Sequence, residues 1–450
     1  MPFKMQIAPE AQIVIDALEQ AGFEAYLVGG AVRDAIYGKS SDDSDVCTNA
    51  FPEEMQKVFE DFRCIPTGLK HGTLTVLTEY GAVEVTTYRV DGVYTDHRRP
   101  DSVFFTRSLE EDLARRDLTI NAMAYSPKTG LFDPFGGQTD LENKIIRAVG
   151  DPMRRFTEDA LRILRALRFA ARLGGTIEEE TKKAIFSLKK DLSFVAKERI
   201  REELLKLLVT DGAVDILLSY ADVFCRIIPE LSDCVDCTQN NPHHQYSVYE
   251  HMVHSVGYAP KVADVRMAML LHDVAKPKVK RTDEKGIDHF YGHDRKSAQM
   301  AEEILKELRF DHHTKNRIVT WILYHDIFRE YSMSILRRRA GKIGAENMEG
   351  MFQVCRADIM AQSAYKREEK LRIVDAFEAG WEKAKSAQLA YRVSDLNIGG
   401  RQLMAMGLSG PSVGALLEKL LNEVIDEKVA NEKEALEKRA MQIIEKKGQA

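Results

Sequence analysis

The chain has 450 residues, 44% hydrophobic and 30% charged, with a formal net charge of −6. That balance excludes an intrinsically disordered chain and, at roughly 100–200 residues per domain, leads us to expect two to four domains. It also excludes a strongly basic coat, so any contact with nucleic acid must come from local patches.

No run approaches the ~18–20 apolar residues of a membrane span. The start, Met1-Pro2-Phe3-Lys4, lacks a signal-peptide pattern. Six cysteines are too few for a disulfide framework, and Cys234 and Cys237 form a CxxC with no second pair to complete a zinc site. A reducing, cytoplasmic location with no membrane partner is the expectation.

Residues 1–145 alternate short β-branched runs with helical segments, an α+β pattern with at least four strands. Glu24–Val28 reads as a strand that ends in the turn Gly29-Gly30, followed by a helix over Ala31–Tyr37 and a short strand over Ser44–Thr48. Leu74–Leu77 and Ala82–Tyr88 form a hairpin pattern with Glu79-Tyr80-Gly81 in the turn. From about residue 150 onward helical periodicity takes over: Arg154–Leu173, Glu178–Leu188, Lys197–Leu208, Ala213–Ser219, Val248–Ala259, Val265–Val274 and Ser297–Leu308. Ala415–Lys447 reads as one charged amphipathic helical tail with a solvated face. The division expected is a head at 1–145, a neck at 146–210, a helical body at 211–360 and a helical tail at 361–450.

The sharpest chemical signal is Gly29-Gly30-Ala31-Val32-Arg33-Asp34, followed closely by Asp43-Ser44-Asp45. Glycines after a strand let backbone N–H groups approach a phosphate, and Arg33 stands one turn into the next helix. On a strand, residues i and i+2 share a face, so Asp43 and Asp45 would present two carboxylates together. Such a pair repels itself unless cations neutralise it, and two Mg²⁺ about 3.5–4 Å apart would make a phosphoryl-transfer centre. Glu84, between Val83 and Val85 on a neighbouring strand, is the natural third carboxylate. Downstream, Arg115, Arg116, Asp117 and Asn121 would clamp phosphate oxygens and a ribose hydroxyl.

In the neck, Glu158, Asp159, Arg162, Arg165, Arg168 and Arg172 fall on one half of a helical wheel at about 100° per residue. Four arginines against two acids leave that face basic. Asp159 and Arg162 form a specific pair: a carboxylate only accepts and a guanidinium only donates. Cytosine and adenine each show an amino donor beside a ring-nitrogen acceptor, and match both partners. Uracil and guanine invert the pattern and leave polar partners unmade.

These residues resemble the bacterial tRNA nucleotidyltransferase and poly(A) polymerase family, the class II branch of the polymerase-beta-like nucleotidyltransferases. The resemblance rests on Leu27–Asp34, Asp43-Ser44-Asp45, Arg115-Arg116-Asp117, Gly150-Asp151-Pro152 and Glu158–Arg162. It continues through Lys197-Glu198-Arg199-Ile200 to Gly399-Gly400 and Gly407–Pro411. It implies a small nucleotidyltransferase head on a helical neck, body and tail, and addition of CCA to the 3′ end of tRNA from CTP and ATP. By that resemblance Asp43 and Asp45 bind Mg²⁺. By it, too, Gly30, Arg33 and one of Arg115 and Arg116 hold the nucleotide phosphates or ribose, Asp159 and Arg162 read the base, and Arg165 and Arg168 complete the neck contacts; Gly29, Asp117 and Asn121 join that nucleotide pocket on the reading of the residues above. Tyr94–Pro100 fits the family's flexible loop, which argues against a CC-only enzyme. Ser44 departs from the apolar residue usual between the aspartates. A CC- or A-adding specialist and a poly(A) polymerase are the alternatives within the family.

Ten of the twelve histidines lie between 243 and 325. The ordered set His251, His272-Asp273, His293, His325 and Asp358 resembles the HD phosphohydrolase domain, and suits a second divalent transition metal. A metal-dependent HD phosphohydrolase is therefore the alternative from another class. His243, His244, His312 and His313 carry no assignment.

Overall fold

The computed structural model describes residues 5–38, 44–92 and 102–448, so Asp43 and the loop Tyr94–Pro100 lie outside the described residues. The chain divides into two compact units, Met1–Ser232 and Asp233–Ala450. The expected head and neck fall in the first and the tail in the second, while the 211–360 segment is cut by the boundary.

In the first unit the strands are β1 (Ala25–Val28), β2 (Asp45–Thr48), β3 (Arg63–Ile65), β4 (Thr73–Leu77), β5 (Ala82–Thr87), β6 (Arg89–Asp91), β7 (Val103–Phe105), β8 (Ala124–Ser126) and β9 (Gly130–Phe132). Seven of them form one sheet in the order β3-β4-β5-β2-β1-β8-β9, and β6 pairs with β7 separately. Every neighbour in the large sheet is antiparallel except β2 and β5, which run parallel with Asp45 opposite Glu84.

The alternation that marks β4 and β5 in the sequence buries Leu74, Val76, Val83 and Val85. Helix α1 (Pro9–Gln20) packs on β1, β2 and β5 and buries Val14, Ile15 and Leu18. A second cluster of Val28, Cys47, Leu109, Leu113, Ala122 and Val149 joins strands β1 and β2 to α4 (Leu109–Ala114). Between these lie α2 (Gly30–Ile36) and α3 (Pro52–Val58). The short strands β3, β8 and β9 carry no strong alternation, which is why the sequence pattern misses them.

The helices that follow are α5 (Gly137–Glu142), α6 (Pro152–Glu158), α7 (Leu161–Leu173), α8 (Glu179–Leu188), α9 (Lys197–Leu208), α10 (Ala213–Ser219) and α11 (Ala221–Ile227). The single helix expected over Arg154–Leu173 is two. Asp151 caps α6 by accepting the Met153 N–H, with Pro152 at its first position. Asp159 then leaves the helix at φ −145° and ψ 103°, and its carboxylate accepts the Leu161 N–H at 3.1 Å. An aspartate that satisfies a nearby backbone donor competes with the helix, and here it ends one helix and opens the next. The half-wheel expected to hold Glu158 and Asp159 with the arginines therefore does not exist as one face.

The second unit is helical apart from a two-strand hairpin, Arg281–Thr282 with Asp288–His289. Its helices are the one-turn α12 (Ser232–Val235), α13 (Val248–Tyr258), α14 (Ala263–Leu271), the short α15 (Lys276–Val279), α16 (His293–Glu307), α17 (His312–Tyr324), α18 (Met333–Ile343), α19 (Met348–Ala361), α20 (Arg367–Ser386), α21 (Gly400–Ala405), α22 (Pro411–Ile425) and α23 (Lys433–Gly448). Helix α14 is buried against α13, α17 and α19. The expected tail helix is broken into α22 and α23. Their inner faces meet through Leu416, Leu420, Val424, Leu436, Ala440 and Ile443, while the charged residues stay outside. No described helix is long and apolar enough to cross a membrane.

One glycine ties the head's packing to its chemistry. A Cβ on Gly137 would lie 2.2 Å from the Thr119 carbonyl oxygen, in the turn that carries Asn121. Gly137→Ala must push α5 off that turn, and the expected loss is about 2 kcal/mol of unfolding free energy. Urea denaturation of the two proteins checks it; an unchanged midpoint would show that the contact yields freely.

Candidate active site

The β1–α2 turn is built by Gly29 at φ +68°, a conformation that side-chain-bearing residues rarely adopt. The guanidinium of Arg116 rests against it, with Nη1 3.2 Å from where a Cβ on Gly29 would stand. From the first turn of α2, Arg33 points inward and is 4% exposed. It donates to Asn121 Oδ1 at 2.5 Å and to Asp34 at 2.9 Å, and its guanidinium lies over the Phe169 ring at 4.7 Å. Burial lowers the pKa of Arg33, with Asp34 opposing that shift.

Asp45 and Glu84 are exposed residues at matched register positions of adjacent parallel strands, so they share one face of the sheet. Cys47, two residues beyond Asp45 and on the same face, lies beside Asp112, Arg115 and Arg116. The carboxylate pair and the double arginine thus border one side of the sheet. Asp43, expected to complete the pair, lies outside the described residues.

Asp112, which the sequence reading did not single out, holds both arginines. Its fully buried carboxylate accepts from Arg115 at 2.8 Å, from Arg116 at 3.3 Å and from the Arg89 backbone N–H at 3.2 Å. Burial alone would raise its pKa, but the two guanidiniums bring it below the usual carboxylate range. Asp117 and Asn121 are also buried rather than open to a ligand. Asp117 accepts from Arg165 Nε at 2.6 Å and from Asn121 Nδ2 at 3.1 Å. Against burial, Arg165 and Asn121 hold Asp117 down at about 2.

In the neck, each arginine has a carboxylate from another element or an adjacent turn. Arg165 pairs with Asp117, Arg168 with Glu203 at 2.5 Å, Arg172 with Asp34 at 3.1 Å and Arg162 with Glu158 at 2.8 Å. Arg33, Arg165 and Arg168 all lie over Phe169, at 4.7, 5.8 and 4.3 Å from its centroid. The surplus of positive charge expected on this helix is compensated from outside it. Glu203 and Phe169 escaped the sequence reading because neither carries a motif; Glu203 reads as one more acid on an amphipathic helix.

Arg162 and Asp159 do not bond to each other. Arg162, 9% exposed, donates from Nη1 to Glu158 Oε2 and the Arg155 carbonyl, and from Nη2 to the Arg115 carbonyl at 3.0 Å. Of its five N–H donors, Nε–H and one on Nη2 remain unspent. Asp159 accepts from Leu161 N and from both terminal nitrogens of Arg199, at 3.3 and 2.8 Å. Of roughly four acceptor sites on a carboxylate, one remains. The two residues are held by protein partners, and each keeps capacity for a ligand.

In the second unit the six histidine and aspartate residues picked out by their order converge. His251 lies on α13, His272 and Asp273 follow α14, His293 opens α16, His325 ends α17 and Asp358 lies on α19. The Nδ1–H groups of His272, His293 and His325 donate to the carbonyls of Met269, Phe290 and Ile322, at 2.8, 2.8 and 2.7 Å. A carbonyl only accepts, so the proton of each neutral ring is on Nδ1 and the Nε2 lone pair points into the cluster. His251 and His272 bring their Nε2 atoms to 3.2 Å, as do His293 and His325.

Asp273 lies between the two pairs and makes no aligned hydrogen bond from either oxygen. Its Oδ2 is 3.2 Å from His272 and 2.6 Å from Lys276, and its Oδ1 is 3.4 Å from His293. Although burial acts to lower it, Asp273 and Asp358 raise His272 to about 10. Two groups, His251–His272–Asp358 and His272–Asp273–His325, have ligand atoms close enough to share a metal ion. His243 pairs with Lys370 at 3.1 Å and the His244 ring stands 5.3 Å from that of His251. None of the six cysteines forms a disulfide, and Cys234 is buried with Sγ against the Val274 carbonyl.

Residues 25–147 match the poly A polymerase head domain, 175–234 the "Probable RNA and SrmB-binding site of polymerase A", and 290–440 the tRNA nucleotidyltransferase domain 2. Three segments of the chain, in order, are thus similar to domains of poly(A) polymerases and tRNA nucleotidyltransferases. Among curated relatives, it is 49% identical over 221 residues to the CCA-adding enzyme of Leuconostoc mesenteroides, which is 49% of this chain and 55% of that one. It is 48% identical over 204 residues to the enzyme of the same name from Geobacillus thermodenitrificans, 45% of this chain and 50% of that one. The chain thus spans about half the length of the curated relatives it matches.

Among solved structures, the Bacillus stearothermophilus CCA-adding enzyme in complex with CTP aligns over 98% of this chain and 100% of that one, at TM-score 0.71 and 27% identity. The Thermotoga maritima CCA-adding enzyme complexed with tRNA shares the fold at TM-score 0.61 and 20% identity, over 99% and 100% of the two chains. His251, His272 and Asp273 lie between the matched segments 175–234 and 290–440.

The depressed Asp117 gives a signed pH dependence. A carboxyl whose folded pKa lies below its unfolded value stabilises the fold above the unfolded value, and that stability is lost as pH falls through the folded one. With Asp117 at about 2, roughly 2 kcal/mol should disappear between about pH 4 and pH 2. In Asp117→Asn that part of the acid-induced loss should be missing when urea stability is measured against pH. An unaltered profile would mean that Asp117 is not held by its partners.

Proposed function

We propose that this chain adds C, C and A to the 3′ end of tRNA from CTP and ATP, without a nucleic-acid template, in the cytoplasm. The observation that carries the proposal is the pair Asp159 and Arg162. Each is anchored by protein, and they keep one acceptor and two donors between them. An amino group beside a ring-nitrogen acceptor meets both requirements, as in cytosine and adenine. Uracil and guanine place carbonyl and N–H the other way round, and polar partners left unmade in a site built to bond them reject such analogues by orders of magnitude. The relatives named CCA-adding enzymes, and the related structures with CTP, ATP and tRNA, point the same way.

In the reaction the terminal 3′-hydroxyl attacks the α-phosphorus of the incoming triphosphate, a phosphodiester forms, and pyrophosphate leaves. Asp45 and Glu84, exposed side by side, fit Mg²⁺ as all-oxygen ligands, with Asp43 as the third; bound Mg²⁺ would supply charge neutralisation at the triphosphate and acidify the hydroxyl. Arg116, laid on the Gly29 turn and steered by Asp112, takes phosphate oxygens beside Gly30. Arg33 and Asn121 brace that turn from behind. Arg165 and Arg168 fix α7 through Asp117 and Glu203, which keeps Arg162 at a set height above the head.

Incorporation of labelled CTP and ATP into tRNA that ends before CCA tests the proposal. Both nucleotides should be added, and Asp45→Ala should slow addition by roughly three orders of magnitude, about 4 kcal/mol of barrier. Addition of a single nucleotide type would make the chain a CC- or A-adding specialist, and sustained A tails on unrelated RNA a poly(A) polymerase.

A second reading rests on the histidine cluster. Imidazole Nε2 atoms facing each other at 3.2 Å, with both Asp273 oxygens unaligned to any donor, fit a divalent transition metal held by His251, His272, Asp273, His293, His325 and Asp358. The chemistry such a site supplies is phosphoester hydrolysis by activated water, an HD-type side activity. Calorimetric titration with Mn²⁺ or Ni²⁺ should show binding that His272→Ala lowers by about 10-fold or more, with CCA addition unchanged. Identical titration curves for the two proteins would remove this reading.

A further inference from the structure

Asp159 has more than one guanidinium to choose from. Arg199, from the first turn of α9, makes two hydrogen bonds to it, and Arg165 lies close enough to feel its charge. Arg162 stands one helical turn along, committed to Glu158 and the Arg155 and Arg115 carbonyls. A carboxylate that swung onto Arg162 would spend its acceptor and Arg162's donors on each other, leaving nothing for a base. Arg199 prevents this by geometry. A planar guanidinium bonded through both terminal nitrogens fixes the plane of the carboxylate as well as its position. The Leu161 N–H fixes the same group from a third direction, so the one acceptor site left over is on Oδ2.

We propose that Arg199 is a positioning residue for base selection: it locks Asp159 in the orientation in which that carboxylate can accept from the amino group of cytosine or adenine. The inference rests on the base-reading role proposed for Asp159 and Arg162. It adds that the template includes a residue 40 positions further along, which supplies no contact to the nucleotide. A lock of this kind acts on which nucleotide is accepted, whereas a residue that merely fastened α9 to the neck would affect stability and all nucleotides alike.

Single-nucleotide kinetics on CCA-lacking tRNA, with CTP, ATP and UTP each offered to the full-length protein, test it. In Arg199→Ala the KM for CTP and for ATP should rise about tenfold with kcat little changed, and the preference for CTP over UTP should fall about tenfold. Arg199→Lys keeps the charge without the fork and should recover part of the preference. If the alanine variant does not fold, Arg199→Gln, which keeps volume and one donor group, is read by the same criteria. Parent-level discrimination in a folded Ala or Gln variant would overturn the proposal. Asp159→Ala separates the two layers. Loss of discrimination there, with discrimination kept in the Arg199 variant, sinks only the positioning role. Discrimination kept in Asp159→Ala sinks the base-reading role as well.

Discussion

Burying a guanidinium without a partner is among the most costly things a fold can do, and the first unit is arranged around that constraint. Arg33, Arg155 and Arg162 are all below 10% exposed, in a chain whose net charge is negative. Each finds its carboxylates or carbonyls, and in finding them becomes fixed. Because a guanidinium offers five donors and a carboxylate about four acceptor sites, fixing one seldom uses all its capacity. What is left over, pointed in a known direction by the rest, is bonding capacity open to a ligand. Asp112 orders Arg115 and Arg116 in this way, and Glu158 orders Arg162. The network also links the head to the neck within this unit. Arg115 gives its side chain to Asp112 and its carbonyl to Arg162. The turn against the Gly29 backbone and the residue proposed to read the base are therefore separated by a few bonded groups.

The second unit applies a related logic to imidazole. Three rings donate to carbonyls three residues earlier in the chain, and this leaves three lone pairs aimed inward from three elements. Buried lone pairs and carboxylates gathered this closely, with few donors among them, need protons or a cation. The raised His272 is the same requirement expressed as an affinity for protons. The helices that bring these groups together pack through ordinary apolar contacts, with α14 buried on most of its surface.

Much of this was legible in the sequence, and for identifiable reasons. The Gly29 turn, the strands of Asp45 and Glu84, and the boundaries of α9 and α10 follow from local rules, since a period of two or 3.6 and a glycine after a strand need no knowledge of the rest of the chain. The order of the histidines identified their cluster because these residues stand at or near the ends of successive helical segments whose periodicity is itself legible. What escaped was compensation at a distance. Arg168 finds Glu203, Arg172 finds Asp34 and Asp159 finds Arg199, at separations of 35 to 138 residues. A helical wheel drawn on residues 154–173 cannot show those partners, so it overstated the free positive charge. It also missed the break at Asp159, where one side chain caps a helix instead of lining its face. The strands β8 and β9 were missed because three residues are too few to alternate visibly.

The claim on which the account turns is that one fixed pair of side chains serves two bases. Crystal structures of the protein with CTP and with ATP would test it most directly. The account predicts the same two contacts in both: Asp159 Oδ2 to the exocyclic amino group and Arg162 to the adjacent ring nitrogen, with the Glu158 and Arg199 bonds preserved. A base bound with Arg162 turned away, or with Asp159 released from Arg199 to reach it, would contradict the account.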